Sequence, residues 1–555
     1  MEPSMKHALW KWKSILRTVY FDRKDEKSMK KKIVSLLLAS IMVIGLLPGC
    51  GNTAGTETEA APLESVQEET QQQTDGEEAS AEESTAANAD ESVLKDGQKD
   101  VLRVVFPGSS ASAASFDAVE AAINEIVADT IDCDVQLDIL QWGVIGEQSN
   151  LILSSGEDVA LLFKYTNIPA AVSSGQLTDL TDLLPVYAPE AMESMGRFVD
   201  ACYINGKLYG LPTFHEYAAR SGLICSTDIL NELGVDPAQI TDWDDVENVL
   251  AMVKEAHPDM NPLVPADSSG MLGHIFNDGV FDQLQEDMVG VYIDGRDGLT
   301  VHNIYDTDEF REVAQMAYDW NQKGYFIADP NALSDTRQSF LRAGTAFGFI
   351  GSVHPGVQSG ETNSTGIDIT AIPITEAGLG TSGVSYAQYV VPNGCMHPEK
   401  AVALMNIIYT NPDVQNLLLY GIEGTDYVVN EDGTAGYPEG VDSSNVGWSN
   451  ESWLTGNASI ALAWETDPDM WTNYREFNEN AVVSPSYGFV FDAENVRNEI
   501  TAVSNVLSQY SSVILSGLSN PEESVPAFLA DLETAGMQRI VDEAQAQLDA
   551  WAAEQ

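Results

Sequence analysis

The chain runs to 555 residues, 44% of them hydrophobic, with a formal net charge of -58 at pH 7. That length and apolar content support a large core split over two lobes. Residues 101–555 alone set fifteen Lys/Arg against sixty-seven Asp/Glu, a solvated surface that repels phosphate backbones and anionic headgroups and so argues against nucleic-acid binding.

The front carries the opposite charge, with ten Lys/Arg and four Asp/Glu in residues 1–50. Met29-Lys30-Lys31-Lys32 opens an uncharged apolar run of fifteen residues, Ile33 to Leu47, where a membrane-spanning helix needs about 20. A basic start, a short greasy core and small residues behind it predict a signal peptide over 29–49. Leu47-Pro48-Gly49-Cys50 resembles the lipobox of bacterial lipoproteins, in which the cysteine is diacylated and becomes the mature N-terminus; Pro48 stands where Ala or Ser is usual. Lipidation is therefore expected at Cys50. Residues 1–28 precede a complete signal and read as an upstream start extension. Residues 50–98 lack aromatics and are rich in Glu, Gln, Ser, Thr and Ala. Such a segment cannot bury enough apolar surface to offset its ordering entropy, which predicts a disordered acidic tether.

The body opens with alternating units. "VLRVVF" at Val101 predicts a strand, Phe116 to Val127 has helical spacing, and "VQLDIL" at Val135 and "VALLFKY" at Val159 predict two more strands. Strands alternating with helices indicate an α/β fold with a mostly parallel sheet. Farther on, a helix is expected over Asp308–Gln322, with Phe310, Val313, Ala317 and Trp320 on one stripe and a stop at Gly324. Asn430-Glu431-Asp432-Gly433 marks a hairpin, and Met537, Ile540, Val541, Ala544, Leu548 and Trp551 share one face of a last helix. Cys133, Cys202, Cys225 and Cys395 form no C-x-x-C pair and imply no disulfide framework, a single bridge remaining open.

Catalytic and cofactor motifs fail on inspection. "GLGTSG" at Gly378 to Gly383 matches G-x-G-x-x-G but leads into the strand-like "VSYAQYVVP" instead of opening a helix. "HEYAA" at His215 has Ala219 where a second metal ligand should stand. Ser385 lacks the second glycine of a nucleophile elbow because Ala387 occupies that place. No phosphate loop, metal set or cofactor is indicated, and the chain reads as a non-enzyme. No spacing picks a catalytic pair out of the many carboxylates.

Aromatic residues in polar company do stand out. Trp448 and Trp453 lie in "NVGWSNESW", with Trp464 and Trp471 close behind, while Trp142 and Tyr165 each follow a predicted strand. Ligands of open α/β sheets sit beyond the carboxyl ends of the strands. A ring beside amides and carboxylates suits a sugar, which has an apolar C–H face and a hydroxyl rim.

With the lipobox and tether, "DVALLFKYTNIPAAVSSGQLTDLTDLLPVYAPE" and "INGKLYGLPTFHEYAARSGLICSTDIL" make the chain similar to the extracellular family 1 solute-binding proteins of ABC importers. "LLLYGIEGTDYVV" and "YGFVFDAENVRNEITAVSNVLSQY" resemble a lipoprotein subgroup with its own C-terminal helical region. The resemblance implies a two-lobed α/β periplasmic-binding-protein-like fold (type II, a Venus flytrap) with a hinge and discontinuous lobes. It places lobe 1 at 101–212 plus about 384–430, and lobe 2 at about 213–383 plus about 431–555, with the C-terminal helices on lobe 2. Family cleft positions fall here on Trp142, Lys164, Tyr165, His215, Glu216, His354 and Tyr386; Trp448 and Trp453 join them on the aromatic evidence. The implied function is capture of a sugar or oligosaccharide by lobe closure and its delivery to ABC permease subunits. The protein is then expected to be a monomer, lipid-anchored on the outer face of a Gram-positive cell membrane. Two alternatives remain open: capture of a peptide or other polar solute, and a surface-anchored glycan hydrolase.

Overall fold

The computed structural model describes residues 91–555 except 109, 329 and 331–334, so the signal segment, Cys50 and most of the tether lie outside the described residues. Strand β1 (Asp100–Pro107) is followed by helix α1 (Ala113–Val127), β2 (Cys133–Leu140), β3 (Leu161–Tyr165) and the short β4 (Gly210–Pro212). The chain then crosses over to β5 (Ser221–Ser226), β6 (Asn261–Leu263), helix α2 (Asp308–Gln322), β7 (Ala346–Ser352) and β8 (Ile369–Pro373). It returns through the one-turn helix α3 (Thr381–Ser385) to β9 (Ala387–Val390) and to helices α4 (Pro398–Thr410) and α5 (Met470–Asn480). Three helices finish the chain: α6 (Arg497–Leu515), α7 (Pro521–Ala535) and α8 (Met537–Ala552).

The two largest sheets have the orders β2-β1-β3-β9-β4 and β8-β5-β7-β6. β1 pairs in parallel with β2 and β3, whereas β9 runs antiparallel to β3 and β4. Both faces of the first sheet are covered, which is why its central strands read as unbroken apolar runs. Val104, Phe106, Leu161 and Phe163 face one core, while Val105, Leu162 and Val390 face a smaller one with Ile152, Ile168 and Leu177. The second lobe has a separate core, to which α2 contributes Phe310, Val313, Ala314, Ala317 and Trp320.

The domain boundaries depart from expectation at two places. Residues 431–481 were expected in the second lobe, but Trp448, Leu454, Ala458, Ala461, Trp471, Tyr474 and Ala481 are buried in the core of the first. The last crossing therefore comes at Val482, where Val482–Val483 pairs in parallel with Gly378–Leu379. Ala219 of the first crossing bridges Gly378 on its other side, so three chain segments run side by side between the lobes. Beyond that point Val496, Val503, Phe528, Ile540 and Leu548 join the second lobe's core. The second departure is at the end of the tether. Residues 91–98 are ordered because Leu94 is buried and the ammonium of Lys400 takes Asp96 (3.1 Å), the Gln98 carbonyl (3.2 Å) and Asp100 (2.6 Å).

The glycine motif also behaves differently from its sequence. It does open a helix, α3, but as hinge packing. A methyl group on Gly380 would collide with the Asp282 carboxylate, and one on Gly383 with the Tyr217 carbonyl. Asp282 accepts from the Thr381 amide (3.0 Å) and the Ser486 hydroxyl (2.8 Å), tying the second and third crossings to a second-lobe strand in one buried knot. Burial raises its pKa above the usual carboxylate range, against those hydrogen bonds.

Candidate functional site

The candidate site forms where first-lobe strands end. β2 runs out at Leu140, and the next turn, Trp142–Val144, projects Trp142, which is 39% exposed. β3 ends on Tyr165, 41% exposed, and the chain then passes through two left-handed residues, Thr166 (φ 55°) and Asn167 (φ 52°). A β-branched residue rarely adopts that conformation without support. Buried Lys164 supplies it, donating to the carbonyls of Thr166 (2.8 Å) and Tyr165 (3.4 Å), while the Thr166 amide donates to Tyr386 O (2.7 Å). Lys164 thus faces its own loop, not open solvent, and burial lowers its pKa.

These features bring four rings together. Trp142 stacks on Trp453 with centroids 5.3 Å apart. Tyr165 stands edge-on to both, at 6.5 and 6.4 Å, and Tyr386 lies 6.4 Å from Tyr165 and from Trp453. Phe163, inside the sheet, backs Trp453 at 5.6 Å. Trp448 does not join them. Although only five residues before Trp453, it is 2% exposed on the core side of the lobe, where its Nε1 donates to Leu418 O (3.0 Å) and its ring packs beside Phe116.

The first crossing adds His215 and Glu216. His215 Nδ1 lies 2.9 Å from the Thr213 carbonyl, which can only accept, so the proton sits on Nδ1 and Nε2 is left as a bare acceptor without a partner. Its ring stands edge-on to Tyr217 (4.5 Å) and Tyr386 (4.9 Å). Burial pulls its pKa down to about 4; Glu216 opposes this and His354 adds to it. His215 is therefore neutral at physiological pH. From the second lobe, His354 follows β7 and brings its Nε2 to 3.9 Å from Glu216 Oε1, with Nδ1 at 2.8 Å from the Pro355 carbonyl.

Two residues without a sequence signal complete the frame. Asn478, at the end of α5 and fully buried, accepts from the Tyr217 amide (2.7 Å) and Ala218 amide (3.2 Å) and donates to His215 O (2.8 Å). Tyr474, one turn earlier, brings its hydroxyl against Gly356 just past His354. Both belong to the stretch expected in the other lobe, which is why spacing could not find them.

The structure thus brings together an aromatic shelf on the first lobe, a neutral histidine with Glu216 on the first crossing, and His354 from the second lobe. Among the described residues no group of three or more His, Cys, Asp or Glu is placed to hold a metal ion. The four body cysteines are free, and burial raises the pKa of each thiol.

Comparison with known families fits this geometry. Residues 113–415, more than half of the chain, match the family model described as bacterial extracellular solute-binding protein. The chain belongs to that family. Residues 485–553 of this binding protein match a domain of unknown function (DUF3502). A carbohydrate ABC transporter substrate-binding protein of Streptococcus pneumoniae is 27% identical over 463 residues, 82% of this chain and 91% of the relative. The crystal structure of the N-glycan transport solute binding protein NgtS, also from Streptococcus pneumoniae, superposes with a TM-score of 0.72 at 25% identity, covering 81% of this chain and 99% of that one. NgtS in complex with Man1GlcNAc and with Man5GlcNAc gives TM-scores of 0.66 and 0.63, each at 24% identity and 99% coverage of NgtS, over 81% and 82% of this chain.

Proposed function

We propose that this protein captures a neutral oligosaccharide outside the cell and hands it, chemically unchanged, to the permease of an ABC importer. The observation that carries the reading is the shelf of Trp142, Tyr165, Tyr386 and Trp453 at the carboxyl ends of the first-lobe strands, faced by Glu216 and His354. Rings take the C–H face of a sugar, and the carboxylate and imidazole take its hydroxyls. The relatives' printed roles, carbohydrate ABC transport and N-glycan transport, support the same ligand class. In this reading Cys50 bears the lipid that holds a monomer at the outer face of the membrane.

The test is a thermal-shift titration of the purified protein with Man1GlcNAc and Man5GlcNAc, followed by mass analysis of the recovered sugar. A ligand at one hundred times its Kd adds about 2.7 kcal/mol of stability, visible as a raised midpoint. A raised midpoint with intact sugar is expected. A shortened sugar would make the protein a hydrolase, and a response to short peptides alone would replace the ligand class.

A further inference from the structure

Next to the aromatic shelf lies a second compartment, walled by residues of both matched regions. A cavity of about 520 Å³ is lined by Tyr165 and Tyr386 of the shelf, while Trp142 and Trp453 do not line it. Its volume falls in the range of roughly 300–1,000 Å³ that holds a small-molecule ligand. Four parts of the fold wall it: the left-handed turn after β3, the Gln283–Glu286 edge of a second-lobe hairpin, helix α3 at the hinge, and residues 489–494 with Arg497. The last wall comes from the region that matches the domain of unknown function.

That wall is built firmly. Phe489 and Phe491 are buried in the second lobe's core, with Phe489 5.9 Å from Trp551 of α8. Gln547 of the same helix clasps Asp492, accepting from its amide (2.9 Å) and donating to its carbonyl (2.9 Å). The C-terminal helices therefore set one side of the cavity.

The lining is rich in uncommitted polar groups. The side chains of Asn167, Gln285, Ser382 and Ser385 make no hydrogen bond to another described residue, and they alternate with apolar surface from Ile168 and Leu284. Its charge is one-sided: Glu286, Asp492 and Glu494 against Arg497. Amides and hydroxyls beside apolar surface suit a sugar, and an excess of carboxylates disfavours an anionic one.

We infer that this compartment takes the outer, uncharged sugar units of a longer glycan whose inner units rest on the Trp142–Trp453 shelf, and that the C-terminal region exists to shape it. The inference rests on the sugar reading proposed above. Because the compartment touches both lobes and the hinge, a chain that fills it adds contacts to the closed form that a short sugar lacks.

The experiment is calorimetric titration of the purified protein and three variants with Man1GlcNAc and Man5GlcNAc. Glu494→Trp fills the compartment from the C-terminal wall, and Ser382→Trp fills it from the hinge; both positions are exposed, so each ring is tolerated by the fold. Trp142→Ala removes the shelf. Each filler is expected to weaken Man5GlcNAc binding at least tenfold and to leave Man1GlcNAc within twofold, while Trp142→Ala weakens both. If neither filler changes Man5GlcNAc binding, the compartment is not a sugar subsite. Equal losses for both sugars in both fillers would likewise overturn it, since the two compartments would not be separable. An unmodified protein that binds neither sugar overturns the sugar reading itself, which is a distinct result from silent fillers.

Discussion

At the residue scale, Trp448 and Trp453 lie five positions apart in different surroundings, and substituting Trp448 or Trp142, the stacking partner of Trp453, separates core from shelf. Trp142 and Trp453 share a stacked contact in which Trp142 is 39% exposed, so Trp142→Ala should change the urea midpoint little while cutting glycan affinity tenfold or more in a titration. Trp448 is core, and Trp448→Ala should cost about 3–5 kcal/mol of stability. A normal urea midpoint for that variant would remove it from the core.

Two histidines give the stability curve opposing slopes. His215 is buried neutral, with its pKa pulled to about 4 from 6.5 in the unfolded chain, so the unfolded state binds the extra proton between those values. Its contribution is complete above pH 6.5 and is lost as pH falls towards 4, by an amount on the order of 3 kcal/mol. His274 behaves the other way. Burial alone would lower its pKa, but hydrogen bonds to Asp267 (3.0 Å) and Asp278 (2.9 Å) outweigh that and push it up to about 10. Its contribution is complete below pH 6.5 and is lost as pH rises towards 10. Chemical denaturation across pH should show the stability gap between wild type and His215→Gln narrowing on acidification. The gap to His274→Asn should narrow on alkalinisation. Parallel curves in either comparison would contradict the corresponding assignment.

At the element scale, the crossings matter more than the sheets. Three segments lie side by side at the hinge, and helix α5 holds the first of them through Asn478. Asn478→Ala removes three hydrogen bonds and leaves two amides and a carbonyl buried, which should cost about 2–4 kcal/mol in a urea titration. A loss below 1 kcal/mol would show that the crossing keeps its shape unaided. Sequence periodicity does not see such a clamp, because it depends on a helix from one lobe meeting a loop that leads to the other.

At the scale of the whole molecule, capture requires the lobes to move around the ligand. Small-angle scattering with and without Man5GlcNAc should show a smaller radius of gyration on binding. An unchanged radius at saturation would mean that the cleft accepts sugar without closing. If the ligand is the neutral oligosaccharide proposed, its affinity should stay constant between low and high salt despite the charge of -58. A steep salt dependence would point to a charged ligand.

Local sequence settled much of the architecture. The strands at Val101, Val135 and Val159, the helix Asp308–Gln322 with its stop at Gly324 and the final amphipathic helix are all in place, because period-2 and period-3.6 burial and turn residues act over a few neighbours. The hairpin around Asn430–Gly433 pairs as its turn residues require. Only the tertiary structure decided that residues 431–481 return to the first lobe, since apolar side chains do not record which of two cores they enter. The same holds for the site. A tryptophan in polar company reads alike whether it lies on a shelf, as Trp453 does, or donates to a carbonyl in the core, as Trp448 does. Which face of the chain meets solvent is fixed by packing partners hundreds of residues away, Trp142 for Trp453 and Phe116 for Trp448.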